Sequence, residues 1–254
     1  GSIRSKEGFN VVKAFESLKK SRTRTIVTII GIMLSTALIF AVTSSASSFV
    51  SFFRRYTAYT YGEWHGLEKC TSFEDYESIS SSDEVETAVY DKYEGYADVS
   101  SELEDISDLY LNVFGINEDF QKLIPVHITS GCFPKNENEI LIPEFFSVLT
   151  DSKYEVGDKI TLKIGDVVSN GEYILPTADK SNFYYWENDN SNKEFIEREE
   201  KTYTICGIFE MPAFSNIYSY GITAFTFPTE TEYLTNSYDY FYSLKNPSDI
   251  SSFM

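Results

Sequence analysis

The sequence predicts an α+β domain outside the membrane, carried on one transmembrane helix that follows an amphipathic one. Three observations lead there. Residues 25–53 hold no charged side chain, and they lie between Arg24 and the pair Arg54-Arg55. The residues before this stretch are basic and patterned, whereas the 254-residue chain as a whole has a formal net charge of −18. Beyond residue 55, short alternating runs mix irregularly with short helical ones, the texture of an α+β domain rather than a doubly wound sheet.

The prefix, residues 3–24, carries Arg4, Lys6, Lys13, Lys19, Lys20, Arg22 and Arg24 against only Glu7 and Glu16. Phe9, Val11, Ala14, Phe15 and Leu18 recur at helical spacing, so the prefix predicts a basic amphipathic helix lying in the membrane interface. Phe15 and Leu18 would seat its apolar face there. Lys19, Lys20, Arg22 and Arg24 would fix its depth and orientation against anionic lipid. The 29 residues 25–53 come next; as a helix they reach about 43 Å, close to a bilayer with its headgroups. The basic excess before them places the N-terminus in the cytoplasm. Gly31/Ser35 and Ala37/Ala41 are small residues four apart that would let a partner helix approach closely. Two other readings compete. A cleaved signal peptide would use Ser44-Ser45-Ala46, but the apolar run is long for one and the prefix is itself patterned. A buried core helix would not need so long an uncharged run.

Residues 54–254 form the outer domain. Expected strands are Glu63–Lys69, Thr87–Tyr93, Leu109–Gly115, Ile140–Ile142, Lys159–Ile164, Gly171–Leu175, Thr202–Phe209, Ile222–Phe227 and Tyr240–Leu244. Expected helices are Phe73–Ser80, Asn117–Leu123 and Pro143–Leu149, the last with Pro143 in its first turn. Residues 177–201 are polar, charged and without periodicity, which predicts a long mobile insertion between two strands. Its aromatic knot, Phe183-Tyr184-Tyr185-Trp186, either tethers that loop or offers a contact site.

Little in the sequence suggests chemistry, and the expectation is that the chain is not an enzyme. The acidic bulk excludes a nucleic-acid-tracking surface. Cys70, Cys132 and Cys206 are too few for a disulfide framework; at most one bridge could form, and the apolar contexts of Cys132 and Cys206 favour small buried residues. The two histidines, His65 and His127, cannot build a multi-histidine metal site. His127 lies in the apolar run 124–128, where a hydrogen-bonded structural role is the default. No HExxH, GxSxG, Gly-rich phosphate loop or EF-hand pattern occurs. Without a Walker motif this chain cannot hydrolyse ATP by itself.

One resemblance runs through most of the chain. Ala14-Phe15-Glu16-Ser17-Leu18-Lys19-Lys20-Ser21-Arg22-Thr23-Arg24-Thr25-Ile26, followed by Gly31-Ile32-Met33-Leu34-Ser35, resembles the opening of FtsX-like, MacB-type ABC permeases. Three stretches resemble that family's periplasmic core domain: Gly131 to Ile140, Tyr154 to Leu162, and Tyr203 to Ile208. Tyr61-Gly62-Glu63-Trp64-His65 and Leu244-Lys245-Asn246-Pro247 look like family fragments too. The resemblance implies a MacB-like outer domain, truncated at Met254, and further spans beyond it. It also implies a permease subunit that works with a separate ATP-binding subunit, which holds the ATP, and a second permease copy or homodimer as a possible neighbour. The first helix would then pass motion between ATPase and outer domain, or serve export of a peptide, lipid, lipoprotein or antimicrobial compound. The alternative from another class is a single-span receptor whose outer domain senses a ligand.

Overall fold

The structure is a computed structural model that describes residues 22–99, 110–149, 153–174, 193–210, 222–231, 234 and 237–253. The chain divides into two compact units, Gly1–Tyr56 and Thr57–Met254. Helix α1 runs unbroken over Arg22–Tyr61, three residues earlier and eight later than the uncharged stretch.

The second unit is α+β, as expected. Its strands are β1 (Gly66–Thr71), β2 (Val85–Asp98), β3 (Tyr110–Ile116), β4 (Ile128–Gly131), β5 (Glu139–Pro143), β6 (Lys159–Ser169), β7 (Glu172–Ile174), β8 (Lys193–Phe209), β9 (Ile222–Thr226) and β10 (Tyr238–Leu244). Helices α2 (Phe73–Ser80), α3 (Glu144–Leu149) and α4 (Ile250–Phe253) lie between or after them. The ten strands form one mixed sheet in the order β1-β10-β2-β3-β9-β5-β8-β6-β7, with β4 beside β8. Pairs β3–β9 and β5–β8 are parallel. A short pairing of Tyr96 with Gly165 and Ala97 with Ile164 joins β2 to β6. That contact closes β2-β3-β9-β5-β8-β6 into a ring of six strands.

Alternation along these strands makes two cores. All six ring strands feed one, through residues such as Ala97, Val113, Ala224, Ile140, Ile205 and Leu162. The opposite face carries an aromatic core with Tyr93, Phe114, Phe120, Phe209, Phe225 and Phe241. Near α2 a third cluster joins Tyr240, Tyr242 and Leu244 to Tyr76 and Ile79. Helix α2 begins where the sequence predicts because Ser72 and Asp75 form a reciprocal capping box.

Several expectations need correction. Residues 193–201, taken as the end of the insertion, are the first half of β8 and pair along β6 from Ser169 to Leu162. Their charges hid the strand: Glu194, Glu197 and Glu200 face solvent, while Phe195 packs on the aromatic core. Residues 177–192, including the aromatic knot, lie outside the described residues. The expected helix 117–123 shrinks to a single 3-10 turn, Phe120–Lys122, whose Phe120 ring is buried against Phe225 and Phe241 of distant strands. Pro143 closes strand β5, paired with Phe209, instead of opening α3; a strand's end is where a missing N–H does least harm. Strand β4 was not anticipated, and β2 extends five residues past Tyr93 through a bulge. Cys206 is buried, as expected, and its Sγ donates to the Ile140 carbonyl at 3.3 Å. Cys132 is exposed instead; its backbone, not its side chain, binds the core through the Cys206 carbonyl at 2.9 Å. Both are free thiols.

Candidate functional site

Helix α1 has 40 residues and so extends about 60 Å. From Ile26 to Phe53 its apolar side chains are exposed on every face, with Leu34 at 66% and Phe40 at 74%. A helix that is apolar all round and, among the described residues, has none of these side chains buried is suited to lipid. Four of its hydroxyls are satisfied internally: Thr28 donates to the Arg24 carbonyl at 2.9 Å, Ser35 to Gly31 at 2.8 Å and Thr43 to Ile39 at 2.9 Å. Thr36 donates to Ile32 likewise. Hydrocarbon therefore strands none of these four hydroxyls. Arg24 and Arg54, exposed on either side of the uncharged stretch, are separated by about 45 Å, the depth of a bilayer with headgroups. Phe49, Phe52, Phe53 and Tyr56 gather at the second end, with Phe49 and Phe53 centroids 4.5 Å apart. Aromatic rings collect at that level of a membrane.

The residues singled out from the sequence separate here. Arg22 and Arg24 begin α1 as exposed cations. Phe15, Leu18, Lys19 and Lys20 lie outside the described residues. Gly31 with Ser35, and Ala37 with Ala41, point about a third of a turn apart, so the two pairs do not make one seam. Nothing lies within 4 Å of a Cβ built on Gly31, which leaves that position open to a close neighbour.

The last residues of α1 belong to the domain's unit. Tyr59 stacks on His127 at 4.2 Å, and His127 Nε2 donates to the Tyr59 carbonyl at 3.2 Å. Gly62, at φ +101°, ends the helix. Its N–H donates to the Ala58 carbonyl at 3.0 Å, and a Cβ there would run into the Leu123 carbonyl and Pro125. Glycine is required by both the left-handed backbone and the space. Trp64 Nε1 donates to the Tyr61 carbonyl at 2.9 Å, and its ring meets Phe241 at 5.9 Å.

Two buried ionic clusters, which the sequence did not reveal, brace the sheet. Lys92 is 1% and Glu94 3% exposed, with Nζ and Oε1 3.4 Å apart. Lys92 donates to the carbonyls of Thr229 and Thr231, each at 2.7 Å. Glu94 accepts from the Thr229 N–H at 2.8 Å and its hydroxyl at 2.7 Å. Together they clamp the segment that leaves β9. In the second cluster, Arg198 Nε lies 3.1 Å from Asp166 Oδ2, and Asp166 Oδ1 accepts from the Tyr93 hydroxyl at 3.2 Å. Arg198 also donates to the Glu94 carbonyl. Gly95 makes room, since a Cβ there would strike Arg198 and Ile164. Burial pushes the Asp166 carboxyl above its ordinary range, although Arg198 and the Tyr93 hydroxyl pull the other way.

Beside the first cluster lies an open cleft of about 730 Å³. Lys135, Asn136 and Glu137 line one side, Glu199 and Lys201 of β8 another, and Phe227 to Thr231 the third.

No protein-family model matches the sequence, and no curated protein matches it. Solved structures do match. A domain of a protein described as a permease, from Porphyromonas gingivalis, aligns at 13% identity and TM-score 0.40, over 74% of this chain and 64% of that one. The extracellular domain of the ABC-type transporter YknZ of Gram-positive bacteria aligns at 12% identity and TM-score 0.42, over 71% and 76%. The periplasmic region of MacB from Actinobacillus actinomycetemcomitans aligns at 9% identity and TM-score 0.39, over 74% and 73%. This chain spans under two thirds of the length of the Porphyromonas domain.

Both histidines are structurally engaged. His65 Nδ1 accepts from the Leu244 N–H at 2.8 Å, and His127 holds the end of α1. Among the described residues no three His, Cys, Asp or Glu side chains are grouped to hold a metal ion. Burial pushes the Cys206 thiol up to about 12, far from the reactive thiolate form.

Proposed function

We propose that this chain is the membrane-anchored N-terminal part of an ABC-transporter permease subunit that works with a separate ATP-binding subunit. One observation carries the proposal: a single helix of bilayer length continues without a break into residues that belong to the outer domain's own compact unit. Motion at the inner end of such a helix would be passed along it to the domain. Within the domain's unit, Tyr59 stacks on His127, Gly62 ends the helix and Trp64 donates to the Tyr61 carbonyl. The excess of Lys and Arg before the span supports a cytoplasmic N-terminus and a domain outside the membrane. Lys19, Lys20, Arg22 and Arg24 then set the orientation, while Phe15 and Leu18 bed the preceding helix where an ATPase subunit would engage. The moved or sensed molecule would be handled by the outer domain, alone or with a second permease copy.

The test is co-purification of the full-length gene product with the products of its neighbouring genes, followed by an ATPase assay. A bound ATP-binding subunit whose turnover falls when residues 9–24 are deleted supports the proposal. Absence of an ATPase partner in mild detergent would overturn it.

A further inference from the structure

The hydroxyls of α1 divide at Thr43. Up to that point Thr28, Ser35, Thr36 and Thr43 each donate to a carbonyl one turn back. Beyond it come Ser44, Ser47, Ser48 and Ser51, and among the described residues none of their hydroxyls has a hydrogen-bond partner. At about 100° per residue, these four serines and Arg55 fall within about 100° of arc. Arg54 lies at the margin of that arc. Phe49, Phe53 and Tyr56 lie toward the opposite side. A groove of about 340 Å³ follows the polar face, lined by Ser47, Ser48, Ser51, Phe52 and Arg55. All of it belongs to the first compact unit.

Depth gives this face its chemistry. Arg24 and Arg54 stand about one bilayer apart, headgroups included, which puts Arg54 and Arg55 at the level of lipid phosphates. Ser51 lies about one turn below Arg55, and Ser47 and Ser48 about two turns below it. Headgroups give way to hydrocarbon at that level, and an unbonded hydroxyl there needs an acceptor from outside the helix. Arg54 and Arg55 are exposed, and residues 22–61 contain no Asp or Glu to neutralise them. A second copy of the helix is a poor occupant. Two copies inserted in one direction about a two-fold axis would bring their arginines against each other on this face. An anion that carries acceptors below its charge meets both needs.

We propose that this face seats one anionic glycerophospholipid, its phosphate on Arg54 and Arg55 and its ester carbonyls accepting from Ser51 and from Ser47 or Ser48. A guanidinium holds a phosphate through paired, charge-assisted N–H donors. The ester carbonyls of such a lipid lie below its phosphate, as the serines lie below the arginines. Phe52 borders the groove and offers its ring to the upper part of an acyl chain. A zwitterionic lipid is the weaker ligand, because its own cation competes with the arginines for the phosphate. The site rests on the membrane-spanning reading of α1. It needs neither an ATPase partner nor any action of the outer domain.

The full chain is reconstituted in phosphatidylcholine liposomes with a trace of phosphatidylglycerol that carries a photoreactive group at the head of one acyl chain. Crosslinks mapped by peptide mass spectrometry are expected within residues 44–56. Unlabelled phosphatidylglycerol should compete at least about fivefold better than added phosphatidylcholine. The Arg54→Gln/Arg55→Gln variant should cut the yield at least about fivefold. The Ser47→Ala/Ser48→Ala/Ser51→Ala variant, which keeps both charges, should cut it at least about threefold. An unchanged yield in the serine variant would reduce the effect to diffuse attraction by the arginines and overturn the seat. Equal competition by phosphatidylcholine would overturn the anionic specificity. Crosslinking of Ser48→Cys copies to one another through residue 48 would give the face to a second helix and overturn the assignment. Alkaline carbonate washing of the same liposomes reads insertion separately. Release of the chain would overturn the span and the site with it, whereas retention without crosslinks at residues 44–56 would overturn the lipid site alone.

Discussion

Replacing Lys92 by methionine removes the Nζ donor to two carbonyls at 2.7 Å and the cation 3.4 Å from Glu94, a residue 3% exposed. Methionine nearly fills the volume, so the loss is electrostatic and not a cavity. Removing one partner of a buried ion pair costs about 3–5 kcal/mol, because the other charge is left in a poorly solvating place. For a domain of this size that corresponds to a fall in melting midpoint of about 6–20 °C. The assay is thermal unfolding of the chain in detergent micelles, followed by near-ultraviolet circular dichroism of the buried tyrosines. The Lys92→Met/Glu94→Leu double variant should recover part of the loss, since no charge is then stranded, although the Thr229 N–H still lacks its acceptor. A midpoint for Lys92→Met within about 2 °C of the wild type, or strict additivity in the double variant, would refute the claim that this pair holds the segment.

Three further outcomes are expected. Gly95→Ala should destabilise the domain by about 1–3 kcal/mol from backbone strain alone, since Gly95 sits at φ +145° and a Cβ would lie 2.7 Å from Ile164 Cγ2; chemical denaturation measures it. Burial raises the folded-state value of Asp166 above the unfolded 3.8, so its stabilising contribution is full below that value and is lost as pH rises through the folded one. Melting curves should therefore show the wild type gaining on Asp166→Asn as pH falls from neutral toward about 4, and a difference that does not vary with pH would count against it. Native-state alkylation followed by peptide mapping should modify exposed Cys132 and spare Cys206, whose thiol burial lifts to about 12; equal labelling would contradict the packing.

Much of the architecture was legible because it depends on composition alone. An uncharged stretch of 29 residues between arginines announces a helix of bilayer length whatever surrounds it. Alternation announced most strands, and α2 was expected over Phe73–Ser80, where the structure shows that Ser72 and Asp75 cap it reciprocally. The failures share a cause. In 193–201 the charges of a solvent-facing strand imitate a loop, and only the partner β6 makes them a strand. The 3-10 turn at Phe120 and the exposure of Cys132 likewise depend on neighbours distant in sequence.

The sequence by itself thus determined the long apolar helix, the arginines that flank its uncharged stretch and the α+β character of the second unit, since each is written in local periodicity or in a run of one residue class. Tertiary structure alone decided the closure of the six-stranded ring, the meeting of Lys92 with Glu94 and Thr229, and the pairing of β8 with β6 on one side and β5 on the other. These are matters of which strand lies beside which. A strand's residues encode its two faces, but its edges carry the same backbone groups in every sequence, so which edge is paired is settled only when the sheet assembles.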